Sequence, residues 1–354
     1  MIATDEIKEL QQQIDSIVDR LKLFDENIQP QFSIFNNFYK KLVNSLKIAN
    51  NKLNEYFFSI YKDEDESISD AGIRFHNKVP EAVGIMRLCQ LEGIFLLKKF
   101  DELLLRLNIP YIIDYGNLLG YVRSGRAVPW DDDIDIDMLI EDLIKVIENM
   151  KLFDDYNDYE IRCDKEGRPK FAACGYPSFV DIIVGVKVNN MEEYEVNKEL
   201  FSRLSVSRNK DSLLSIYNNG SNDPLSFIKA IYKEMKDNFK QVNNTESNPK
   251  NESIYVRVAL IYMYSPFPTP INSIYPISRG IYEGIEINIP NDPNYLLLNR
   301  YGDYWYLPND ITHRHRSSKN IKKVMDFANF IKNKDINFYN ERILPVVNDM
   351  EVRE

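Results

Sequence analysis

Five aspartates lie within seven consecutive residues, 131–137, of this 354-residue chain. Alternate residues of a β-strand point to the same face, so a strand here would place four of the carboxylates on one face, those of Asp131, Asp133, Asp135 and Asp137. Carboxylates this close together repel each other unless a cation lies between them. Hard oxygen ligands select Mg²⁺ or Mn²⁺. The spacing therefore predicts a strand that carries a site for one of these ions.

A solvated edge strand, whose charges prevent edge-to-edge pairing, is the structural alternative. Two features argue against it. Pro129 and Trp130 come directly before the aspartates, and Ile134 and Ile136 alternate with them. These apolar side chains need a buried second face, so metal binding is the favoured interpretation.

A further acid, Asp181, is isolated in the apolar stretch at residues 179–184. A carboxylate among apolar neighbours needs either a salt bridge or a metal ion. If this stretch forms a strand next to the first one, Asp181 comes to lie beside Asp133 and Asp135. We then expect three carboxylates that bind a divalent metal and activate an attacking hydroxyl.

Residues 116–120, Gly-Asn-Leu-Leu-Gly, precede the acidic segment. We expect Gly116 to open a turn and Asn117 to cap the short helix that follows. The free backbone N–H groups at the start of a helix can hold a phosphate. Glycine turns before helices are common, so this segment becomes informative only together with the carboxylates.

The N-terminal part of the chain is predicted to be helical. Apolar residues recur three and four positions apart over residues 7–24 and again over 35–60, and Pro30 separates the two runs. The pattern indicates an N-terminal helical hairpin at residues 1–62. Such a hairpin packs on itself, on the main domain, or on a second copy of the chain in a homodimer.

The main domain is predicted to cover residues 80–335, with a C-terminal tail at residues 336–354. Periodicity and turn residues divide it into alternating helices and strands. The expected elements are helices at 82–108, 296–301 and 320–332, and strands at 111–113, 134–140, 171–174, 179–188 and 281–289.

Composition indicates a globular protein, with 44% hydrophobic and 28% charged residues. The formal net charge of −10 argues against non-specific binding to nucleic acid or to an anionic membrane. The first residues lack the features of a secretory signal, and no apolar run reaches the roughly 18 residues of a membrane span. We expect a cytoplasmic protein, with a peripheral position at the inner membrane face as an alternative.

Three motifs, at residues 108–111, 116–123 and 128–135, resemble the LicD family, which includes the fukutin-related transferases. The family pattern reads approximately G-T-L-L-G-x-x-R, a spacer, then I-P-W-D-D-D-I-D. Residues 283–308, with Tyr-Gly-Asp and a following proline, resemble the family's later segment. The resemblance spans about residues 88–316, and it does not account for the N-terminal helices.

The chain also departs from the family pattern. Asn117 stands where the family usually has a small hydroxyl residue, Tyr121 replaces a small residue, and Ser124 replaces a common histidine. The apolar stretch after Asp181 lacks the Phe-Pro that often follows the family's third acid. These differences bear on the identity of the substrate more than on the fold.

The resemblance implies an α/β (α+β) architecture, a nucleotidyltransferase-like fold with a small mixed sheet flanked by helices. It also implies a Mg²⁺- or Mn²⁺-dependent phosphotransferase that uses a cytidine diphosphate donor such as CDP-choline. Such an enzyme transfers phosphocholine or a polyol phosphate to a hydroxyl of a glycan or glycolipid, as in cell-surface polysaccharide modification, and releases CMP.

Carried over to this chain, the resemblance assigns the metal to Asp133 and Asp135, with Asp131 as a third candidate. Asp181 would act as the general base or as a further metal ligand. Two other residues, Gly116 and Asn117, would hold the donor phosphate. One basic residue has two interpretations. Arg123 either neutralises developing phosphate charge or forms an ion pair with a nearby aspartate.

Two other functions remain open. A true nucleotidyltransferase would direct the attack to the α-phosphate of a nucleoside triphosphate, and a non-catalytic subunit would bind a nucleotide or carbohydrate on the same fold. Residues outside the main motifs are open as well. Residues 301–303, Tyr-Gly-Asp, either form a wall of the site or end a helix, and His313 and His315 either contact phosphate or belong to a basic surface cluster.

Overall fold

The computed structural model describes six stretches of the chain and four isolated residues. These are residues 51–164, 168–204, 223–241, 253–257, 268–306 and 321–353, with residues 41, 45, 48 and 49. Two compact units are present, residues 1–72 and 73–354. In the first unit, residues 51–61 are helical, as predicted. Most of the predicted hairpin at residues 1–62 lies outside the described residues, so the hairpin and the predicted domain boundaries stay predictions.

A long buried helix, α2 (Gly84–Arg106), follows the shorter α1 (Ile68–Lys78). Leu97, Phe100 and Leu104, spaced three and four residues apart along the helix, are fully or almost fully buried. The helix ends because Asn108 adopts a left-handed backbone conformation (φ 51°) just before Pro110. It therefore delivers the chain directly into the first strand.

A mixed sheet forms the centre of the second unit. Five strands lie side by side in the order β1-β2-β5-β4-β3. Strand β6 pairs with the C-terminal half of β5, and β7 pairs with β6. The strands are β1 (Ile112–Ile113), β2 (Asp135–Leu139), β3 (Tyr159–Cys163), β4 (Pro169–Ala173), β5 (Phe179–Val188), β6 (Ile254–Arg257) and β7 (Pro268–Pro270). Strands β2 and β5 are parallel, whereas the other pairs are antiparallel.

Helices pack around this sheet. Helix α2 contacts β4 and β5, and α4 contacts β2 and β5. The remaining helices are α3 (Tyr115–Ser124), α4 (Ile140–Glu148), α5 (Met191–Leu204), α6 (Pro224–Asn238), α7 (Pro293–Tyr301), α8 (Ile321–Lys334) and α9 (Leu344–Arg353). The predicted small mixed sheet flanked by helices is confirmed. No helix in the described part of the chain is long and apolar enough to cross a membrane.

The predicted strand at residues 281–289 is instead a hairpin of β8 (Ser278–Tyr282) and β9 (Ile285–Ile289). Glu283 and Gly284 form the turn, with φ angles of 49° and 69°. Two consecutive positive φ values are typical of the tight turns that join antiparallel strands. The alternating pattern continues across the turn, which is why it reads as a single strand.

Residues after the predicted catalytic domain are ordered into helices. Residues Ile336–Phe338 and the π-helix Tyr339–Ile343 lead into α9, and both α8 and α9 contact α2. The ring of Phe95 in α2 lies 6.3 Å from that of Phe327 and 5.6 Å from that of Phe338. The C-terminal segment therefore contributes to the core around α2.

Candidate active site

Helix α3 begins three residues earlier than predicted. Asp114 is its N-cap and accepts a hydrogen bond from the backbone N–H of Tyr115 at 2.8 Å. Gly116 and Asn117 are therefore inside the helix, and the prediction that they form the turn and the cap is wrong. Tyr115 has a left-handed backbone (φ 47°), a conformation that costs a residue with a Cβ about 1–2 kcal/mol.

Gly116 provides space for a carboxylate. A Cβ added at Gly116 would lie 1.7 Å from Oδ2 of Asp131, so the Asp131 carboxylate lies against the first turn of α3. The sequence predicted a donor phosphate at this place. The other glycine of the motif, Gly120, has a similar role, because its Cβ would lie 2.3 Å from the carbonyl oxygen of Arg126. Both glycines therefore let the acidic segment approach α3 closely.

Asn117 holds the acidic segment by its backbone. Its Nδ2 donates to the carbonyl oxygen of Asp133 at 3.0 Å and to the Tyr282 hydroxyl at 3.3 Å. Its Oδ1 accepts from the backbone N–H of Asp135 at 2.6 Å. Both ends of the amide are thus engaged with the protein, and Asn117 positions the carboxylates instead of presenting its amide to a phosphate.

The acidic segment enters the sheet later than predicted. Strand β2 begins at Asp135, and residues 131–134 have no regular secondary structure. Gln90 on α2 fixes this approach, because its Nε2 donates to the carbonyl oxygens of Val128 at 2.9 Å and Asp131 at 2.7 Å. The predicted single strand from Asp131 to Asp137 is therefore too long by four residues.

Asp181 lies where the pattern of the two strands predicts. In the parallel pairing of β2 and β5, Asp181 is the direct partner of Asp135. Its backbone N–H donates to the carbonyl oxygen of Ile134 at 2.7 Å. The structure thus brings together four half-buried carboxylates, those of Asp131, Asp133, Asp135 and Asp181, which we call the acidic cluster.

The electrostatics of the acidic cluster are dominated by burial and repulsion. Burial, and then the negative charge of Asp133, hold the pKa values of Asp131 and Asp135 well above the usual range. Burial also raises the pKa of Asp181, although the Lys170 ammonium opposes that rise. Asp131 and Asp135 are therefore surrounded mainly by other carboxyl groups, whereas Asp181 also has a cation beside it.

A buried ion-pair network lies next to the acidic cluster. Arg257 on β6 donates from Nε to Asp137 at 2.6 Å and from Nη2 to Asp114 at 2.8 Å. Arg300 on α7 also pairs with Asp114, and its guanidinium lies 3.7 Å from the centre of the Tyr115 ring. Although burial opposes ionisation, Arg300 and Arg257 hold the pKa of Asp114 below its usual value. Asp137, predicted on the same face as the metal ligands, thus belongs to this network.

Residues 108–168 match the family model described as LicD/FKTN/FKRP, nucleotidyltransferase domain. The matched residues include α3, the acidic segment and β2. They carry three of the four carboxylates of the cluster, whereas Asp181 on β5 lies outside the match. Through this segment the chain is similar to the nucleotidyltransferase domain of the LicD family.

Two curated relatives align with short parts of the chain. The uncharacterized protein RP689 of Rickettsia prowazekii (strain Madrid E) is 42% identical over 59 residues, which are 17% of this chain and 22% of that protein. The uncharacterized protein RT0683 of Rickettsia typhi (strain ATCC VR-144 / Wilmington) is 49% identical over 49 residues, 14% of this chain and 16% of that protein. The matches span less than a quarter of either relative.

The arginine of the motif, Arg123, binds backbone carbonyl groups of the segment after α7. It is buried, and it donates from Nε to the carbonyl oxygen of Tyr304 at 2.9 Å and from Nη2 to that of Tyr306 at 2.9 Å. It therefore ties α3 to the segment after α7. Nearby, His76 contacts the carbonyl oxygen of Trp305 at 3.0 Å through Nε2. Burial and the charge of Arg123 lower the pKa of His76 to about 4.

The later motif, Tyr-Gly-Asp at residues 301–303, ends a helix. Tyr301 is the last residue of α7, and Gly302 is its C-cap. Burial raises the pKa of Tyr301, and the charges of Asp114, Asp131 and Asp135 add to this effect against the opposing charge of Arg300. The phenol therefore lies within the electrostatic influence of Asp131 and Asp135. His313 and His315 lie outside the described residues.

A complete metal-ligand group is not preformed in the described residues. No three His, Cys, Asp or Glu side chains among them are arranged closely enough to hold a metal ion. Mg²⁺ is usually bound through one or two carboxylates together with substrate phosphates. Metal binding at the acidic cluster would therefore draw ligands from the substrate and bring the carboxylates closer together.

Proposed function

We propose that this chain is a divalent-metal-dependent phosphotransferase. In this proposal it moves phosphocholine or a polyol phosphate from a CDP-activated donor to a hydroxyl of a glycan or glycolipid, and it releases CMP. The family match supports a phosphotransferase type of activity. The observation that supports the proposal is the pairing of Asp181 with Asp135 on neighbouring strands, with Asp133 close to both.

The donor set of the acidic cluster fits Mg²⁺ or Mn²⁺. Its side chains offer hard carboxylate oxygens, and their mutual repulsion is relieved when a cation enters. Of the basic side chains nearby, Lys170 pairs with Asp181, and Arg257 pairs with Asp137, which lies outside the cluster. Asp133 and Asp135, with Asp131, would hold the ion. When bound, the ion would supply positive charge that neutralises the charge developing on the donor's pyrophosphate.

The chain's own residues then position the reactants and accept a proton. The acceptor oxygen attacks the β-phosphorus of the donor, the bond from that phosphorus to the bridging oxygen breaks, and CMP leaves with the bridging oxygen. The proton of the acceptor hydroxyl passes to the carboxylate of Asp181. Asn117 and Gln90 hold the acidic segment in place during this step. Catalysis is mostly positioning and charge neutralisation.

The decisive experiment is an assay of the full chain with CDP-choline and CDP-linked polyols in the presence of candidate glycans. We expect CMP release that needs both the acceptor and Mg²⁺ or Mn²⁺. Release of pyrophosphate from a nucleoside triphosphate would show a nucleotidyltransferase instead. Donor binding without turnover, under conditions in which the protein is folded, would support a non-catalytic binding subunit.

A further inference from the structure

Lys170 is a basic residue in direct contact with the acidic cluster. It lies opposite Asp181 in the antiparallel pairing of β4 and β5, and its side chain is 7% exposed. Its Nζ forms an ion pair with Oδ1 of Asp181, and Oδ2 of Asp164 lies 3.6 Å away. Asp181 therefore has Asp135 on β2 at one side and the Lys170 ammonium on β4 at the other.

The position of the Lys170 ammonium is fixed by its surroundings. Nζ lies 3.6 Å from the centre of the Phe179 ring, a cation–π contact on a buried side chain. Asp164, its more distant acidic neighbour, already has a partner, since Arg168 donates to it from Nε at 2.8 Å and from its backbone N–H at 3.0 Å. Asp181 is therefore the main counter-charge of Lys170. Moving the ammonium away from it would leave both charges buried without each other.

We propose that Lys170 is a built-in counter-ion that keeps Asp181 off the metal, so that the acidic cluster binds a single divalent ion. The proposal rests on the metal dependence in the proposed function. In two-metal sites the ions lie about 3.5–4 Å apart and share carboxylates between them. An ion bound to Asp181 would lie close to the ammonium, whose charge repels it.

The consequence concerns the role of Asp181. Its Oδ1 pairs with Lys170, which leaves Oδ2 for the acceptor hydroxyl. Lys170 is thus a positioning residue for the proton-accepting carboxylate, and the metal belongs to Asp133 and Asp135 with Asp131. The sequence left open whether Asp181 is a general base or a further ligand, and the ion pair favours the general base.

The test is a Mn²⁺ titration of the full chain without donor, followed by electron paramagnetic resonance and calorimetry. We expect one Mn²⁺ per chain, and Asp135→Asn should weaken its binding at least ~10-fold. The key variant is the charge-matched pair Lys170→Met/Asp181→Asn, which leaves the net charge unchanged. It should still bind one Mn²⁺, with a Kd within about threefold of the wild type if Asp181 is not a ligand.

Two single variants complete the design. Lys170→Met should take up a second Mn²⁺ because Asp181 loses its counter-ion, whereas Lys170→Arg should still bind one. Should the Lys170 variants fail to fold, the stoichiometry of the wild-type chain decides. Two bound ions in the wild type, or a tenfold loss in the charge-matched pair, would overturn the role of Lys170 and leave the proposed function standing. No Mn²⁺ binding by the wild type would overturn both.

Discussion

Asp135 and Asp181 are direct partners on two parallel strands, β2 and β5. Neighbouring strands are about 4.8 Å apart, so residues distant in the sequence carry their carboxylates side by side. A parallel pair needs a crossover connection, and here residues 140–178, with α4, β3 and β4, provide it. The connection contains Lys170 on β4 and leads into β5, so both Lys170 and Asp181 come to lie near Asp135.

Asp135→Asn should lower CMP release at least ~100-fold, because it removes a charged oxygen from the centre of the cluster. Its melting temperature should stay the same or rise, since the substitution also relieves repulsion from Asp133 and Asp181. Steady-state kinetics and differential scanning calorimetry measure the two effects. Asp154→Asn is the control, because the Asp154 side chain is 79% exposed and is not part of the acidic cluster. Near-normal turnover in the Asp135 variant would show that the metal assignment is wrong.

Gly116→Ala should damage the site sterically. The new Cβ would lie 1.7 Å from Oδ2 of Asp131, so the acidic segment must move away from α3, at a cost of about 1–3 kcal/mol. We expect at least a ~10-fold loss of kcat/KM, as for small displacements of reacting groups. Gly175→Ala is the control. Its Cβ would meet nothing within 4 Å, although its φ of 82° makes it strained. The control should lose stability and keep its activity.

Asn117→Ala distinguishes positioning from phosphate binding. The amide holds the backbone of Asp133 and Asp135, so its loss should cost about 1–3 kcal/mol of stability. We expect kcat to fall while the KM for the donor changes little. A large increase in KM with an unchanged kcat would instead support the phosphate contact that the sequence suggested. Initial rates over a range of donor concentrations separate the two results.

Much of this site was predictable because simple patterns describe it. The two-residue spacing of the aspartates, and an isolated acid in an apolar strand, identified Asp135 and Asp181 as neighbours. Arg257 is an equally isolated charge in an apolar strand, and the same reasoning applied to it would have indicated the buried network. The start of α3 differs from the prediction because the glycine at residue 116 indicates a turn. Aspartate is a favoured N-cap residue, so Asp114 is the sequence signal for the observed start.

Other features depend on three-dimensional contacts that no local pattern encodes. The role of Asn117 follows from the approach of residues 133–135 to α3, which the two glycines of the motif permit. Lys170 pairs with Asp181 only through the register of β4 and β5. The sequence does not indicate the hairpin at Glu283, because the alternation of apolar and polar residues continues from one strand to the next across a two-residue turn.

Arg257→Met should strongly destabilise the fold. The arginine is buried between Asp114 and Asp137, and removing one partner of a buried ion pair costs about 3–5 kcal/mol. The double variant Arg257→Met/Asp137→Asn removes one charge of each sign and should recover part of that loss. Urea unfolding of the two single variants and the double variant gives the coupling energy. Independent, additive effects would show that the network contributes little to stability.

The buried His76 predicts a pH dependence of stability. Burial and Arg123 lower its pKa to about 4 from 6.5, so the unfolded chain binds a proton at His76 over the interval in which the folded chain does not. The contribution of this residue is therefore fully present above pH 6.5 and is lost as the pH falls toward 4, with a slope of at most about 1.4 kcal/mol per pH unit.

The measurement is urea unfolding of the wild type and His76→Asn between pH 7.5 and 4.5. Titration of the carboxylates is common to both proteins, so the difference between their free energies of unfolding isolates His76. We expect the wild type to lose more stability than the variant between pH 6.5 and pH 4.5. Parallel curves would mean that the imidazole is protonated in the folded state despite Arg123, and that the contact with the Trp305 carbonyl oxygen is made by a charged ring.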